Sequence, residues 1–514
     1  MEDLHKLAKT CRYWRELTLA TPTLWATVST DNRGDSLVFS HSTVPSMPNN
    51  PLLPLVVHVG RRKVSSKMQD ILLSNASRIR ELHCMAPVTR NFLSFLQSFD
   101  ASTLEHCLLT TGRHSDSLKR NDARFSTFFS RDAPRLRSLC LKNITFLPAN
   151  TFPSLSRIVI RMVANDRYPV NWGPQDLVKV FSGCPRLEEA YIGEISWHPE
   201  EISSPIPSAL APLSLPRLRY FSLAYSAKTT PSASLVVEHL LSCVIIPPSC
   251  HLYFKACGSA SDANIAILES IRHRIPGRDT VSHACLWITE RSFERSIQLV
   301  FPEGSLRLVF PVSPLSSGYD SEDMLRFLRS SQPLFAETRE LRVHYSENDL
   351  LCKLEPSLPT IFPKITALSL IPFSISQYFS RARLAVSLES LGKASHAESH
   401  ASWPALDALW VSLRDKGDEV QLEKALATRA APGRALRHLS VCYDSKKMQS
   451  KGSGGGKGSK VLGFVAPLKE HVEEITLMEL PWHEPGKEDE WMVSLPERYG
   501  LPSAFSRNWP SWYQ

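Results

Sequence analysis

No cysteine of this chain stands in a Cys-x-x-Cys pair. The eleven cysteines are odd in number and scattered. That argues against a disulfide framework and for free thiols in a reducing compartment, cytoplasmic or nuclear. The Asn75 and Asn143 sequons are then chance matches. No apolar run reaches the length of a membrane span. Met1 leads into a charged amphipathic segment and not a signal peptide, so no membrane role is expected. There is no Gly-x-Ser-x-Gly elbow. The net charge of +8 comes without a dense Lys/Arg stripe interleaved with aromatics, so nucleic acid is not an expected partner.

Three local patterns fall short of a site. Gly454-Gly455-Gly456-Lys457 has Lys451 where a phosphate loop needs glycine, and Gly458 where it needs Ser or Thr. His396 and His400 are four apart, but Pro404 follows closely and the stretch reads as a solvated loop. Cys243, Cys250, His251 and Cys257 match no usual zinc spacing and read as thiols in or beside strands. The acids Glu188, Glu189, Glu473 and Glu474 sit at spacer positions and read as surface charges. No catalytic residue, metal or cofactor is expected, and the chain is not expected to be an enzyme.

What the chain does have is one short phrase written eleven times: apolar, two spacers, apolar, one spacer, apolar. Copies start at Ile79, Leu104, Leu136, Leu155, Leu187, Leu218, Thr338, Ile365, Leu406, Leu436 and Val472. Six carry a proline two positions ahead: Pro134, Pro153, Pro185, Pro216, Pro363 and Pro404. In a strand, the last two apolar residues of the phrase point to one face. Proline lacks an amide hydrogen and belongs just ahead of the strand. Helical patterns precede several copies, at 90–99, 123–129, 175–181 and 420–427. The unit is therefore helix, turn, strand, with neighbouring strands pairing in parallel. Such a stack gives 514 residues a continuous core and favours binding over catalysis.

The expected organisation follows. Residues 1–28 carry an amphipathic helix with Leu4, Leu7, Cys11, Trp14 and Leu17 on one side, then a short turn at Leu24 and Trp25. Residues 29–60 read as linker or loop. Residues 61–444 read as an α/β, irregular leucine-rich-repeat-like solenoid, least regular at 230–335. There, 252–254 and 286–288 suggest degenerate strands, 297–301 and 306–310 a hairpin, and 263–274 and 321–328 helices. Residues 445–460 are Gly/Ser/Lys-rich and expected to be disordered. Residues 461–514 hold the last copy and a capping segment with Trp482, Trp491, Trp509 and Trp512.

The opening Leu7-Ala8-Lys9-Thr10-Cys11-Arg12-Tyr13-Trp14-Arg15-Glu16-Leu17, with Thr21-Pro22-Thr23-Leu24-Trp25 after it, resembles the second half of an F-box. It looks like the form common in fungal F-box proteins of mushroom-type lineages, which continue into irregular leucine-rich-repeat-like sequence. The box lacks its usual Leu-Pro-x-Glu opening helix and is expected to be N-terminally truncated. The resemblance implies a short all-α remnant that docks on the Skp-type linker of an SCF (cullin–RING) ubiquitin ligase, bringing the cullin with it. It places Leu4, Leu7, Cys11, Trp14, Leu24 and Trp25 in the box core and linker contact. The repeat surface would hold an unknown target protein for ubiquitination. Alternatively, the chain is a scaffold of the same fold that has lost ligase binding. By alternation, the spacers Arg137, Arg157, Glu189, Arg219, Lys364 and Arg437 are the expected target contacts. Their mostly cationic character suits an acidic or phosphorylated target.

Overall fold

In a computed structural model of the chain, the described residues are 10–14, 16, 27–30, 37–38, 54–60, 64, 66–85, 90–110, 124–130, 132–162, 170–195, 197, 212–226, 233–257, 261–289, 294–311, 320–345, 357–372, 403–413, 416–430, 434–443 and 465–479. They are mixed α/β, with mostly parallel strands, in two compact units, Met1–Cys250 and His251–Gln514.

In the first unit the strands are β1 (Thr27–Thr30), β2 (Leu37–Val38), β3 (Leu55–Val59), β4 (Ile79–Cys84), β5 (His106–Thr110), β6 (Phe125–Ser126), β7 (Ser138–Lys142), β8 (Leu147–Pro148), β9 (Arg157–Arg161), β10 (Glu189–Ile195), β11 (Leu213–Ser214), β12 (Tyr220–Ser226) and β13 (Val244–Ile245). Its helices are α1 (Ser66–Ser74), α2 (Arg90–Ser98), α3 (Pro174–Ser182) and α4 (Ala233–Cys243). The main sheet runs β2-β1-β3-β4-β5-β7-β9-β10-β12, parallel throughout except for β1 with β2. Small parallel pairs join β6 to β8 and β11 to β13.

The second unit contains α5 (Ser261–Arg274), α6 (Asp320–Ser330), α7 (Gln332–Phe335), α8 (Leu358–Ile361) and α9 (Lys416–Ala430). Its strands are β14 (His251–Cys257), β15 (His283–Thr289), β16 (Glu294–Val300), β17 (Ser305–Pro311), β18 (Glu340–Tyr345), β19 (Ala367–Pro372), β20 (Ala408–Leu413), β21 (Leu436–Tyr443) and β22 (Val472–Glu479). The order is β14-β17-β16-β15-β18-β19-β20-β21-β22. Only β16 runs against its neighbours, as the far arm of the expected hairpin, whose turn closes through Phe301 N–H to the Gly304 carbonyl at 2.8 Å.

The apolar residues of the phrase make the core. In ten of the eleven copies all three are buried, from Ile79, Leu82 and Cys84 to Leu436, Leu439 and Val441. In the eleventh, Val472 is buried while Ile475 and Leu477 are half-buried. Their strand, β22, pairs with β21 alone among the described residues, so less surface covers them.

The proline has a specific place. Leu136 N–H donates to the Ala133 carbonyl at 3.1 Å, Leu155 to Phe152 at 3.0 Å, Leu187 to Cys184 at 3.0 Å and Leu218 to Leu215 at 3.0 Å. Each is a four-residue turn with proline second, the position its fixed φ suits. The third residue is the turn corner. It has no ladder to join and no core to enter, so it projects into water: Arg135, Arg186 and Arg217 are exposed and Ser154 half-exposed.

Behind the first unit's strands runs a stack of phenylalanines. Ring centroids are 5.9 Å apart for Phe95 and Phe99, 6.3 Å for Phe99 and Phe129, and 6.4 Å for Phe129 and Phe152. Phe128 joins Phe129 at 6.3 Å and Phe146 at 5.6 Å.

Most expected elements of 61–444 are present, including α2, α3, α5, α6, α9, β14 and β15. Two expectations are corrected. Residues 124–129 are not helical: Phe125 and Ser126 form β6, and the Phe128 amide is capped by the Asn150 side chain at 2.7 Å. The periodic aromatics there serve the phenylalanine stack instead of a helix face. Nor are 29–60 only linker, because β2, β3 and half of β1 lie there. The Ser/Asn/Pro content masked the alternation of Leu55–Val59. The expected disordered run at 445–460 and the tryptophans from Trp482 onward lie outside the described residues. So do His396, His400, Leu4, Leu7, Leu24 and Trp25. No helix among the described residues is long and apolar enough to cross a membrane.

Candidate functional site

The phrase dictates which side chains a ligand can meet. On the strand face opposite the phrase residues, parallel register aligns them in lanes. One lane reads Glu81, His106, Ser138, Arg157, Glu189 and Tyr220. The next reads His58, His83, Leu108, Cys140, Val159 and Tyr191. Leu108, Cys140, Val159 and Tyr191 are all buried. Lateral contact between strands about 4.8 Å apart covers this lane, so alternation alone overstates its exposure.

Arg157 is accordingly not a free contact. Its Nε donates to Glu189 Oε2 at 2.7 Å and a terminal nitrogen donates to Oε1 at 2.9 Å. Burial opposes its charge, but the bond to Glu189 and the acids around it outweigh that and hold it above the ordinary arginine value. The expected contacts Arg157 and Glu189 thus satisfy each other. Lys364 pairs with Glu337, and Arg437 lies 3.4 Å from Asp407. Both sit in the second unit, Lys364 at a turn corner and Arg437 within β21. Arg219 lies over the neighbouring Tyr220 ring at 5.8 Å.

Of the six, Arg137 alone lines a groove of about 450 Å³ along the N-terminal edge of the first unit's strands. Arg135, Arg186 and Arg217 join it from the turn corners, with Ser154 and Ser156 between them. Glu105 and Glu188 complete the lining. Glu105 is already engaged by Arg80 at 2.8 Å. The four groove arginines are exposed, and among the described residues no carboxylate stands within ion-pair distance of any of them. The backbone of this edge is fixed: the Glu105 carbonyl accepts from Arg137 and Ser138 N–H at 2.8 and 3.1 Å, and the Arg137 carbonyl from Ser156 and Arg157 N–H at 3.0 Å each. The side chains therefore project from a rigid ladder. Sequence reasoning missed Arg135, Ser154, Arg186 and Arg217 because it treated the residue after the proline as spacer. The thrice-written Pro-Arg-Leu was the available signal.

The buried thiols Cys140, Cys184 and Cys442 are not nucleophiles. Burial pushes Cys140 and Cys184 up to about 12 and Cys442 up to about 11, so each stays protonated at neutral pH. Cys243 and Cys250 are free thiols, and His251 Nδ1 lies 3.0 Å from the Ser305 hydroxyl. Among the described residues no three His, Cys, Asp or Glu side chains are placed to hold a metal.

At the N-terminal segment, Thr10, Arg12–Trp14 and Glu16 are helical, with Arg12 Nε to Glu16 Oε1 at 2.7 Å. Trp14 is 40% exposed and Tyr13 67%, their rings edge to face at 6.0 Å. Cys11 is exposed as well. Of the residues expected in the box core and linker contact, only Cys11 and Trp14 are described, and both are exposed.

One half-buried histidine in each lane yields a pH prediction. Burial, then the His83 charge, lowers His58, whose ring stacks on that of His83 at 4.5 Å. Burial also lowers His106, against the pull of Glu81 and Glu105. Between these lowered values and the ordinary 6.5 the unfolded chain binds more protons than the fold. Their contribution is therefore complete above 6.5 and is lost as acid titrates the folded rings. The urea midpoint should fall as pH drops from 7.5 to 5, and a His58→Gln/His106→Gln variant should show a flatter profile. An unchanged slope would remove these histidines from the account.

No protein-family model and no curated protein matches this chain.

Proposed function

We propose that the chain is a target-recruiting adaptor of an SCF-type ubiquitin ligase, not an enzyme. An F-box remnant around Cys11 and Trp14 docks on the Skp-type linker. An irregular leucine-rich-repeat-like solenoid holds the target along the N-terminal edge of its strands. The observation that carries the recruiting half is the groove, where arginines recur at turn corners with no carboxylate in ion-pair distance among the described residues, while Lys364 at a turn corner of the second unit pairs with Glu337. Charge left uncompensated on a rigid edge suits recognition of an oppositely charged partner. The ligase half rests on the Cys11-Arg12-Tyr13-Trp14-Arg15 resemblance and on the exposure of Tyr13 and Trp14.

The test is affinity purification from a fungal lysate with wild type and Trp14→Ala. Because Trp14 is exposed, the variant should melt within about 0.5 kcal/mol of wild type. Recovery of linker and cullin with wild type, and its loss in the folded variant, is expected. If wild type recovers no linker at low or physiological salt, the ligase half is wrong and a repeat scaffold remains.

A further inference from the structure

We propose that β22 is a dimerisation edge, along which two copies of this chain pair antiparallel about a two-fold axis at Ile475. Neither Trp14 nor the arginine groove takes part.

β22 (Val472–Glu479) is eight residues long and pairs with β21 alone among the described residues. Its outer edge therefore offers backbone N–H and C=O groups to another strand. Edge strands are usually blunted by lysine, proline, a bulge or shortness. β22 contains no lysine, proline or glycine, and no strand among the described residues is longer. The edge also carries unfinished core. In the ten earlier copies the last two phrase residues are buried, whereas here Ile475 and Leu477 are half-buried. On the other face Met478 is 37% exposed. A strand laid along β22 completes the cover of all three.

The acids select the occupant. Glu473 and Glu474 are exposed at the start of the strand, and Glu474 Oε2 lies 2.9 Å from His438 Nδ1 on β21. Two identical antiparallel strands keep their core faces together only when one residue stands opposite itself on the axis. An axis at Glu473 or Glu474 sets carboxylate against carboxylate. An axis at Thr476 sets Glu473 against Glu479, and one at Leu477 leaves the first half of the strand unpaired. An axis at Ile475 pairs every residue from Val472 to Met478. It sets Glu473 against Leu477, Glu474 against Thr476 and Val472 against Met478, so no glutamate meets another. On the core side Ile475 meets its own counterpart. Acids placed this way disfavour the other registers and leave one self-complementary pairing.

The experiment uses the full chain, with light scattering on size-exclusion fractions across a dilution series. Wild type should weigh twice one chain at high concentration and dissociate on dilution. Ile475→Lys sets two ammonium groups on the axis and should weigh one chain throughout. Facing residues have Cα atoms about 4.5–5.5 Å apart, within disulfide reach. Ile475→Cys should therefore link into a covalent dimer under mild oxidation, above the background of the native thiols in wild type. Glu473→Cys should not, because the two copies of position 473 are offset by about 13 Å along the strands. If Ile475→Lys melts below wild type, the two cysteine variants decide the question. A wild type that is monomeric at every concentration overturns the proposal, whether β22 is then covered by residues 480–514 or by another protein's strand. A dimer that survives in folded Ile475→Lys, or equal linking of Ile475→Cys and Glu473→Cys, overturns it too.

Discussion

Replacing Phe129 by alanine is expected to destabilise the first unit by about 3–5 kcal/mol. Phe129 is fully buried and meets three rings, Phe99, Phe128 and Phe152, at 6.3, 6.3 and 6.4 Å. Its segment cannot collapse to fill the gap, because the amide and hydroxyl of Ser130 both donate to the Phe99 carbonyl at 3.1 Å. The lost transfer energy and the cavity term therefore add. Folded domains hold only about 5–15 kcal/mol in all, so the change removes a large share of it. Urea unfolding should show an earlier transition, and Phe129→Leu should recover more than half of the loss. A Phe129→Ala midpoint that moves by less than about 1 kcal/mol in equivalent stability would mean the stack is not a structural spine.

The second large effect lies in the second unit. Arg429→Met is expected to cost about 2–4 kcal/mol. Arg429 is 5% exposed and reaches from α9 into the turn ahead of β20. One of its terminal nitrogens donates to the Trp403 carbonyl at 3.0 Å and to the Leu406 carbonyl at 2.8 Å. Burial, with a smaller push from Arg434, lowers its proton affinity, so the charge is held at some cost. What the side chain secures is a strained turn. Trp403 sits at φ 55°, a left-handed conformation that costs a bulky residue about 1–2 kcal/mol. Methionine keeps the volume but removes the guanidinium from both carbonyls, leaving the Trp403 carbonyl only the Leu406 N–H at 3.2 Å. Arg429→Lys should restore only part of the loss, since lysine's flexible stem holds its ammonium less firmly than a planar guanidinium is held. Hydrogen exchange at Leu406 and Ala408 should quicken in the methionine variant. No change there would show that the turn holds without Arg429.

Much of the architecture was legible because one phrase does one job in every copy. Leu136, Leu139 and Leu141 could be placed in the core from spacing alone, as could their counterparts elsewhere. The hairpin at Ile297–Phe310 was legible from its Pro302-Glu303-Gly304-Ser305 turn. Position 129 was not, because aromatic spacing at 123–129 suits a helix face and a stack of rings equally well. Arg429 was not, because nothing in a helix sequence marks a guanidinium that will cap another segment's carbonyls. The candidate site was half legible. Alternation singled out Arg137, but it also singled out Arg157 and Glu189, which neutralise each other across adjacent strands. Lateral neighbours in a parallel sheet come from residues some thirty positions apart, and periodicity within one copy carries no knowledge of them. The corner arginines were visible as Pro-Arg-Leu, yet only the turn geometry shows that they project from one edge.

The most direct test of the account compares three full-length proteins in one quantitative affinity purification: wild type, Trp14→Ala and Arg186→Gln/Arg217→Gln. Linker and cullin should be lost from the first variant and kept by the second. Partners recovered through the groove with wild type should be kept by the first and lost from the second, and raising the salt should reproduce that loss. Variants that lose both sets together, or neither, would contradict an adaptor whose ligase contact and target groove are separate surfaces.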